Sequence, residues 1–304
     1  MPLYAYVDGD FAMWKDANVH VSTHALHYGT GCYEGIKSYW NEGKRQLHIF
    51  RGNDHYRRLK NSCKLLYINV DFTPEELMDV TKKLLRMNKT EGDCYIRPVA
   101  YKKAHPRIIG AELMNVTDGL FIITLPMKQY HSKQVLHLCT SSWRRIKDVV
   151  IPPRGKINGL YVNNSLARTE AMLNGYDDAL ILTQEGYVSE GATSNIVILR
   201  NGVLITPPPY MDILEGITLD TVIQIAAHLS TPIEFRPIHR SEVYIADEVF
   251  LCGTASEVKA VNMLDHRIIG DGKVGPVTQR IQDVFARILQ GKEKPFKNWL
   301  EPVY

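Results

Sequence analysis

The chain has 304 residues, 45% of them hydrophobic and 23% charged, a balance that excludes collagen-like, disordered and disulfide-scaffold classes. Its 36 Lys and Arg against 33 Asp and Glu leave a formal charge of +3, and the basic residues are scattered, so no nucleic-acid footprint is present. The length favours two domains, each able to bury a core of its own.

Leu3 to Val7 and Phe11 to Trp14 flank Asp8-Gly9-Asp10 and predict a strand pair closed by a tight turn. Val19 to His27 follows, with His20, His24 and His27 spaced like one face of a helix; without acidic or sulfur ligands at metal spacing they read as structural histidines. Tyr28 to Gly35 imitates a dinucleotide fingerprint, but its third glycine is late and a β-type run follows, which disfavours a Rossmann site. Ile36 to Trp40, the turn at Asn41-Glu42-Gly43 and Gln46 to Phe50 predict a hairpin, with Arg51 at the entry to a helix over Asn53 to Leu66. Thr73-Pro74-Glu75-Glu76 is a capping box opening a helix whose apolar face carries Leu77, Val80, Leu84 and Leu85. Strands are expected at Cys94 to Tyr101 and Leu120 to Leu125, with Lys102 to Asn115 a long polar surface loop between them.

A linker is expected over 127–133, since the strand stops at Pro126, giving domains at 1–126 and 134–304. Beyond it, a helix over Asn164 to Asn174 ends at Gly175, and strands are expected at Ala179 to Thr183, Asn195 to Arg200 and Val203 to Thr206, with Asn201-Gly202 a hairpin turn. Gly216-Ile217-Thr218 opens a helix with Thr218 as the expected N-cap, and such a start offers backbone N–H groups to a phosphate. Asp247 to Glu257 reads as a strand running into a small-residue turn at Gly253-Thr254-Ala255. A last helix begins at Gly275-Pro276, with Ile281, Val284, Phe285 and Leu289 on its buried face.

The five cysteines, Cys32, Cys63, Cys94, Cys139 and Cys252, have neither disulfide nor zinc spacing, and the N-terminus lacks the basic and apolar regions of a signal peptide. The longest apolar runs are strand-sized. A cytoplasmic protein acting on small molecules is expected, with no nucleic-acid or membrane partner. No metal motif, Ser-His-Asp order or P-loop stands in the chain. What remains is a lysine in a glycine-flanked loop, Lys156, a glutamate, Glu190, phosphate-binding turns and several tyrosines. Together they suit one chemistry: an amine that forms a Schiff base, an anion site, and a carboxylate for a pyridine nitrogen, which points to pyridoxal 5'-phosphate.

The chain resembles the branched-chain amino-acid aminotransferases, class IV (fold type IV) pyridoxal-phosphate transaminases, over nearly its whole length. The resemblance rests on Thr23 to Thr30, Tyr33-Glu34-Gly35-Ile36, Phe50-Arg51, Tyr95-Ile96-Arg97-Pro98, Ser141-Ser142-Trp143, Gly186 to Gly191, Gly202-Val203-Leu204, Gly216-Ile217-Thr218, Ala246 to Phe250, Gly253-Thr254-Ala255 and Gly275 to Thr278, in the family's order. It implies an α/β (α+β) protein with a smaller N-terminal α/β domain and a larger cofactor domain with a β-barrel-like core and flanking helices.

The resemblance further implies that Lys156 bonds the cofactor and shuttles protons, that Glu190 partners the pyridine nitrogen and that Tyr161 lies beside the phenolic oxygen. Arg51, Thr254 and the N–H groups of Ile217 and Thr218 would hold the phosphate. Tyr28, Tyr33, Tyr95, Arg97, Tyr130 and Ala255 would line the substrate pocket. The implied reaction is transamination between L-leucine, L-isoleucine or L-valine and 2-oxoglutarate, by a homodimer or larger homo-oligomer.

The chain departs from the family at Leu160, where an asparagine is usual, at Met127, and in Lys102 to Arg107, where a glycine-rich loop is usual. These departures bear on substrate range and leave open a class IV transaminase of D-amino acids or (R)-amines, an aminodeoxychorismate-type lyase, and a non-catalytic cofactor binder.

Overall fold

The computed structural model describes residues 3–104, 110–127 and 133–304; His105, Pro106, Arg107 and the pocket candidate Tyr130 lie outside the described residues. The chain divides into two compact units. One is built from Met1–Lys128, Gly155–Gly159 and Leu289–Tyr304, the other from Gln129–Arg154 and Leu160–Ile288.

The first unit is organised on β1 (Tyr4–Val7), β2 (Asp10–Met13), β3 (Gly31–Tyr33), β4 (Ile36–Asn41), β5 (Gln46–Phe50), β6 (Cys94–Lys102) and β7 (Asp118–Pro126). A late strand, Leu300–Pro302, joins the edge beside β5, and the sheet then runs β5, β4, β6, β7, β1, β2, with β3 also paired to β6. β6 is buried almost along its length because it is covered on both edges, so it reads as a continuous apolar run and not an alternating one.

Among the described residues, three helices accompany this sheet. α1 (His24–Tyr28) is one turn long, shorter than the expected run from Val19. His24 bonds Thr30 Oγ1 at 2.6 Å and the Gly110 carbonyl at 2.9 Å, and His27 bonds the Val21 carbonyl at 2.9 Å. α2 (Gly52–Leu65) buries His55, Tyr56, Leu59, Ser62 and Cys63, the i, i+4, i+7 face of a helix on a core. α3 (Pro74–Met87) begins with the expected capping box: Glu76 N–H donates to Thr73 Oγ1 at 3.1 Å, and Thr73 N–H to Glu76 Oε2 at 2.7 Å. Lys102 corrects the expected surface loop. It ends β6 opposite Asp118, is buried, and pairs with that carboxylate at 2.9 Å.

The second unit carries β8 (Val135–Arg144), β9 (Asp178–Leu182), β10 (Val188–Gly191), β11 (Asn195–Arg200), β12 (Val203–Thr206), β13 (Ile233–Phe235), β14 (Glu248–Gly253), β15 (Glu257–Leu264) and β16 (Arg267–Ile268). Their order is β10, β9, β8, β15, β14, β11, β12, β13, with β16 on β15. Alternate residues Leu136 and Leu138, Leu180 and Leu182, Ile196 and Ile198, and Val249 and Leu251 share one apolar cluster, as a period of two requires. Cys139, Ala179 and Ile181, of opposite parity, take Ala167 and Ala171 of α4 (Tyr161–Leu173), and the small side chains let helix and sheet approach closely.

α4 starts one turn before the expected Asn164. α5 (Ile217–His228) is capped by Gly216 and not by Thr218, which lies buried in its first turn. After the short α6 (Arg240–Tyr244), α7 (Pro276–Leu289) is held at its start by Glu248. That carboxylate accepts from Val277 N–H at 2.9 Å and Thr278 N–H at 2.7 Å, anionic charge at the favourable end of the helix dipole. Ile288, not Leu289, completes its buried face. The chain is thus a mixed α/β protein on two large sheets.

Candidate active site

In the first unit Lys156 sits on a five-residue segment fixed by backbone bonds. Tyr33 N–H donates to the Lys156 carbonyl at 3.0 Å, Lys156 N–H donates to Ser62 Oγ at 3.0 Å, and Ile157 forms a bridge with Cys32. Gly159 N–H donates to the Gly29 carbonyl at 3.1 Å. Gly29 has a φ of 68°, and a Cβ there would stand 2.8 Å from Gly159 Cα, so glycine is required by conformation and by space alike. The main chain of the segment is therefore rigid while the side chain is half-buried, and Lys156 Nζ lies 4.9 Å from the centre of the Tyr33 ring.

The same ring receives a second cation. Arg97 stacks 4.3 Å above Tyr33 and donates from Nη2 to Tyr95 Oη at 2.8 Å. Gly35 lies under Tyr95, where any Cβ would collide with the phenol. Lys156, Tyr33, Tyr95 and Arg97 thus form one cluster: an amine beside an aromatic wall that carries a guanidinium. Tyr28, at the end of α1, is partly exposed and packs on His24, with ring centres 4.6 Å apart. Arg51 takes the left-handed conformation before α2, pairs with Asp54 at 2.7 Å and lies 4.8 Å over Trp299.

Behind Tyr33, Glu34 is fully buried. It accepts from Arg58 at 2.7 Å and lies 2.7 Å from His55 Nδ1. Burial pushes its carboxyl up, but the Arg58 guanidinium and the His55 imidazole outweigh that and hold it well below the usual carboxylate range. Burial in turn holds the His55 imidazole below its ordinary value; Glu34 opposes this, and the Arg58 and Lys156 charges add to it. The sequence shows Glu34 only as part of a motif, because nothing local reveals that it faces inward.

In the second unit Glu190 lies on β10, next to an irregularity in the β9 pairing that alters the strict alternation of facing. Oε1 pairs with Arg145 Nη2 at 2.8 Å, while Oε2 accepts from Asn195 Nδ2 at 3.2 Å and Leu214 N–H at 3.0 Å. Asn195 gathers the remaining candidates. Its Oδ1 occupies the space a Cβ on Gly216 would need, directly before Ile217 and Thr218, and its backbone pairs with Cys252, two residues before Thr254. The start of α5 has no side-chain cap, and α5 packs on β14, whose end leads into the Thr254-Ala255 turn. Tyr161 opens α4, and Leu160 before it is buried.

Neither Arg145 nor Asn195 stands out in the sequence. Arg145 reads there as one of two basic residues after a strand, and Asn195 as the first residue of another. The donor set suits pyridoxal 5'-phosphate: a primary amine against an aromatic ring, a carboxylate held beside a guanidinium for a cationic pyridine nitrogen, and an uncapped helix start with a nearby threonine for a phosphate.

These features define an enzyme of the amine-transfer type, and likeness to known proteins identifies the family. Residues 31–263 match the model of amino-transferase class IV. The chain is 42% identical over 303 residues to a probable branched-chain-amino-acid aminotransferase of Aquifex aeolicus, covering 99% of this chain and 97% of the relative. Its fold matches that of a branched-chain aminotransferase from the archaeon Thermoproteus uzoniensis, crystallised with norvaline, at a TM-score of 0.95 and 39% identity over 100% of both chains. It also matches a branched-chain amino acid aminotransferase from Thermobaculum terrenum, crystallised in its PLP form, at a TM-score of 0.94 and 38% identity over 100% of this chain and 99% of that one. The chain belongs to the class IV aminotransferases.

Proposed function

We propose that the chain is a pyridoxal-phosphate-dependent branched-chain-amino-acid aminotransferase that moves amino groups between L-leucine, L-isoleucine or L-valine and 2-oxoglutarate. The observation that carries this reading is the cluster of Lys156, Tyr33, Arg97 and Tyr95, in a chain alike over its whole length to enzymes of that name. When bound, the cofactor supplies a ring that withdraws electrons from the substrate α-carbon.

Lys156 Nζ holds the cofactor at rest, is released when the amine substrate arrives, and then carries the proton that leaves the α-carbon. Glu190 accepts the hydrogen bond of the pyridine nitrogen. Tyr161 Oη meets the phenolic oxygen. Arg51, Thr254 and the backbone N–H groups of Ile217 and Thr218 hold the phosphate, whose charge matches a helix start. Arg97 offers the substrate carboxylate a guanidinium, and Tyr28, Tyr33, Tyr95, Tyr130 and Ala255 enclose the side chain.

The chain acts in the cytoplasm as a homodimer or larger homo-oligomer. Five free, buried thiols support a reducing compartment, and among the described residues no helix is long and apolar enough to cross a membrane.

An assay with both enantiomers of leucine, alanine and 1-phenylethylamine, with and without 2-oxoglutarate, tests the reading. L-leucine turnover that depends on the acceptor is expected. Preference for a D-amino acid or an (R)-amine, or pyruvate release without acceptor from aminodeoxychorismate, would replace it. Lys156→Ala is expected to lose both transamination and the visible absorbance of the bound cofactor; a fully active variant would sink the assignment.

A further inference from the structure

Arg145 follows β8 directly and is the largest fully buried side chain among the described residues, with 1% exposure. A buried guanidinium without an anion is strongly unfavourable, so the residue demands a negative partner. Glu190 is that partner, at 2.8 Å. Neutralising the charge would need only this contact, yet the fork is engaged on two further sides. Nη1 donates to Asn164 Oδ1 at 2.7 Å, and Nε donates to the Asp212 carbonyl at 2.9 Å. The base of the side chain is fixed as well, with Arg145 N–H donating to the Leu182 carbonyl at 2.8 Å.

Asn164 carries the connection onward. It lies one turn after Tyr161 on the same face of α4, and its Nδ2 donates to the Ala192 carbonyl at 2.6 Å, just past β10. One guanidinium therefore ties together the strand that bears Glu190, the helix that bears Tyr161, and the Asp212 to Leu214 segment whose Leu214 N–H holds the other carboxylate oxygen. Lysine could neutralise Glu190 but could not reach three directions from a planar fork.

We infer that Arg145 is a positioning residue for the reaction: through Glu190 and Asn164 it sets the charge and aim of the carboxylate that meets the pyridine nitrogen and the register of that carboxylate with Tyr161. The inference rests on the functional reading above and concerns a residue that does not itself touch substrate or cofactor.

The test uses the full-length holoenzyme as wild type, Arg145→Met, Arg145→Lys, Glu190→Gln and the Arg145→Met/Glu190→Gln double variant. Four quantities are read: the visible absorbance of the bound cofactor against pH, kcat and KM for L-leucine, and the far-UV circular dichroism as a check on folding. Arg145→Met is expected to move the midpoint of the absorbance titration by about one pH unit or more. Its kcat should fall about 100-fold, the cost of a misplaced group, with KM changed by less than about threefold. Arg145→Lys should recover part of the titration shift and little of the kcat.

Because both residues act through one carboxylate, the double variant should lie within about twofold of Glu190→Gln alone. An unchanged titration in Arg145→Met, or losses that multiply in the double variant, overturns the role. If Arg145→Met does not fold, the comparison passes to Arg145→Lys with and without Glu190→Gln, with the same expected and overturning results. Absence of cofactor absorbance in the wild type would overturn the functional reading itself; an unchanged titration in Arg145→Met beside a normal wild-type spectrum overturns only Arg145.

Discussion

Glu34 survives as a carboxylate without solvent because two donors face it, and this couples the stability of the fold to pH. Its carboxyl is held below the ordinary range, so its contribution is fully present above about pH 4.3, the unfolded value, and is lost as the pH falls toward the folded one. His55 is also held down, so the unfolded chain takes up that proton first, and stability begins to fall below about pH 6.5. His48, depressed by burial and by Lys44, adds to the upper window. Calorimetry over a series of pH values should show the thermal midpoint falling in two stages, and His55→Gln should shrink the upper one; an identical upper stage in the variant would count against the network. The sequence displays Tyr33-Glu34-Gly35 as a motif, and Lys156 as a lysine between glycines. It does not display Arg58 or His55 as partners of Glu34, since ion pairs across elements leave no local pattern.

Helix starts show why some elements are legible and others are not. The Thr73 to Glu76 box is local chemistry and can be read from four residues. α5 begins one step earlier than Thr218 suggests because Gly216 is selected by space: its missing Cβ makes room for Asn195 Oδ1. That constraint comes from a strand far off in sequence, as does the burial of Lys102, which follows from its register with Asp118. Gly216→Ala should push Asn195 away from Glu190, costing about 1–3 kcal/mol in denaturant titration together with weaker retention of the cofactor. Thr73→Ala should cost about 1 kcal/mol by loss of the cap and leave cofactor retention as in the wild type. Equal cofactor loss in both variants would contradict the role given to Gly216.

At the scale of the whole molecule, the first unit is assembled from three separate stretches of chain. Pro126 is legible as a stop, but the membership of Gly155–Gly159 rests on main-chain bonds to Tyr33 and Gly29 that composition does not reveal. Its last stretch is bound tightly: Leu300–Pro302 pairs with β5, Glu301 pairs with Lys82 at 2.9 Å, and Arg86 donates to the Val303 carbonyl at 2.6 Å. Ending the chain after Gly291 should therefore raise hydrogen exchange in β5 and α2 far more than in β8 and β15; uniform protection would refute the dependence.

The pairing of β5 with Leu300–Pro302 has a consequence for how the protein is made. A ribosome delivers β5 early, yet the strand that covers its edge emerges only after some 250 further residues, as the separation of 248 between Asn53 and Glu301 indicates. Throughout that interval the nascent chain carries an open strand edge able to pair with a neighbour on the same message. The segment that is translated first is thus the one finished last, and its safe passage depends on how quickly the final residues leave the exit tunnel.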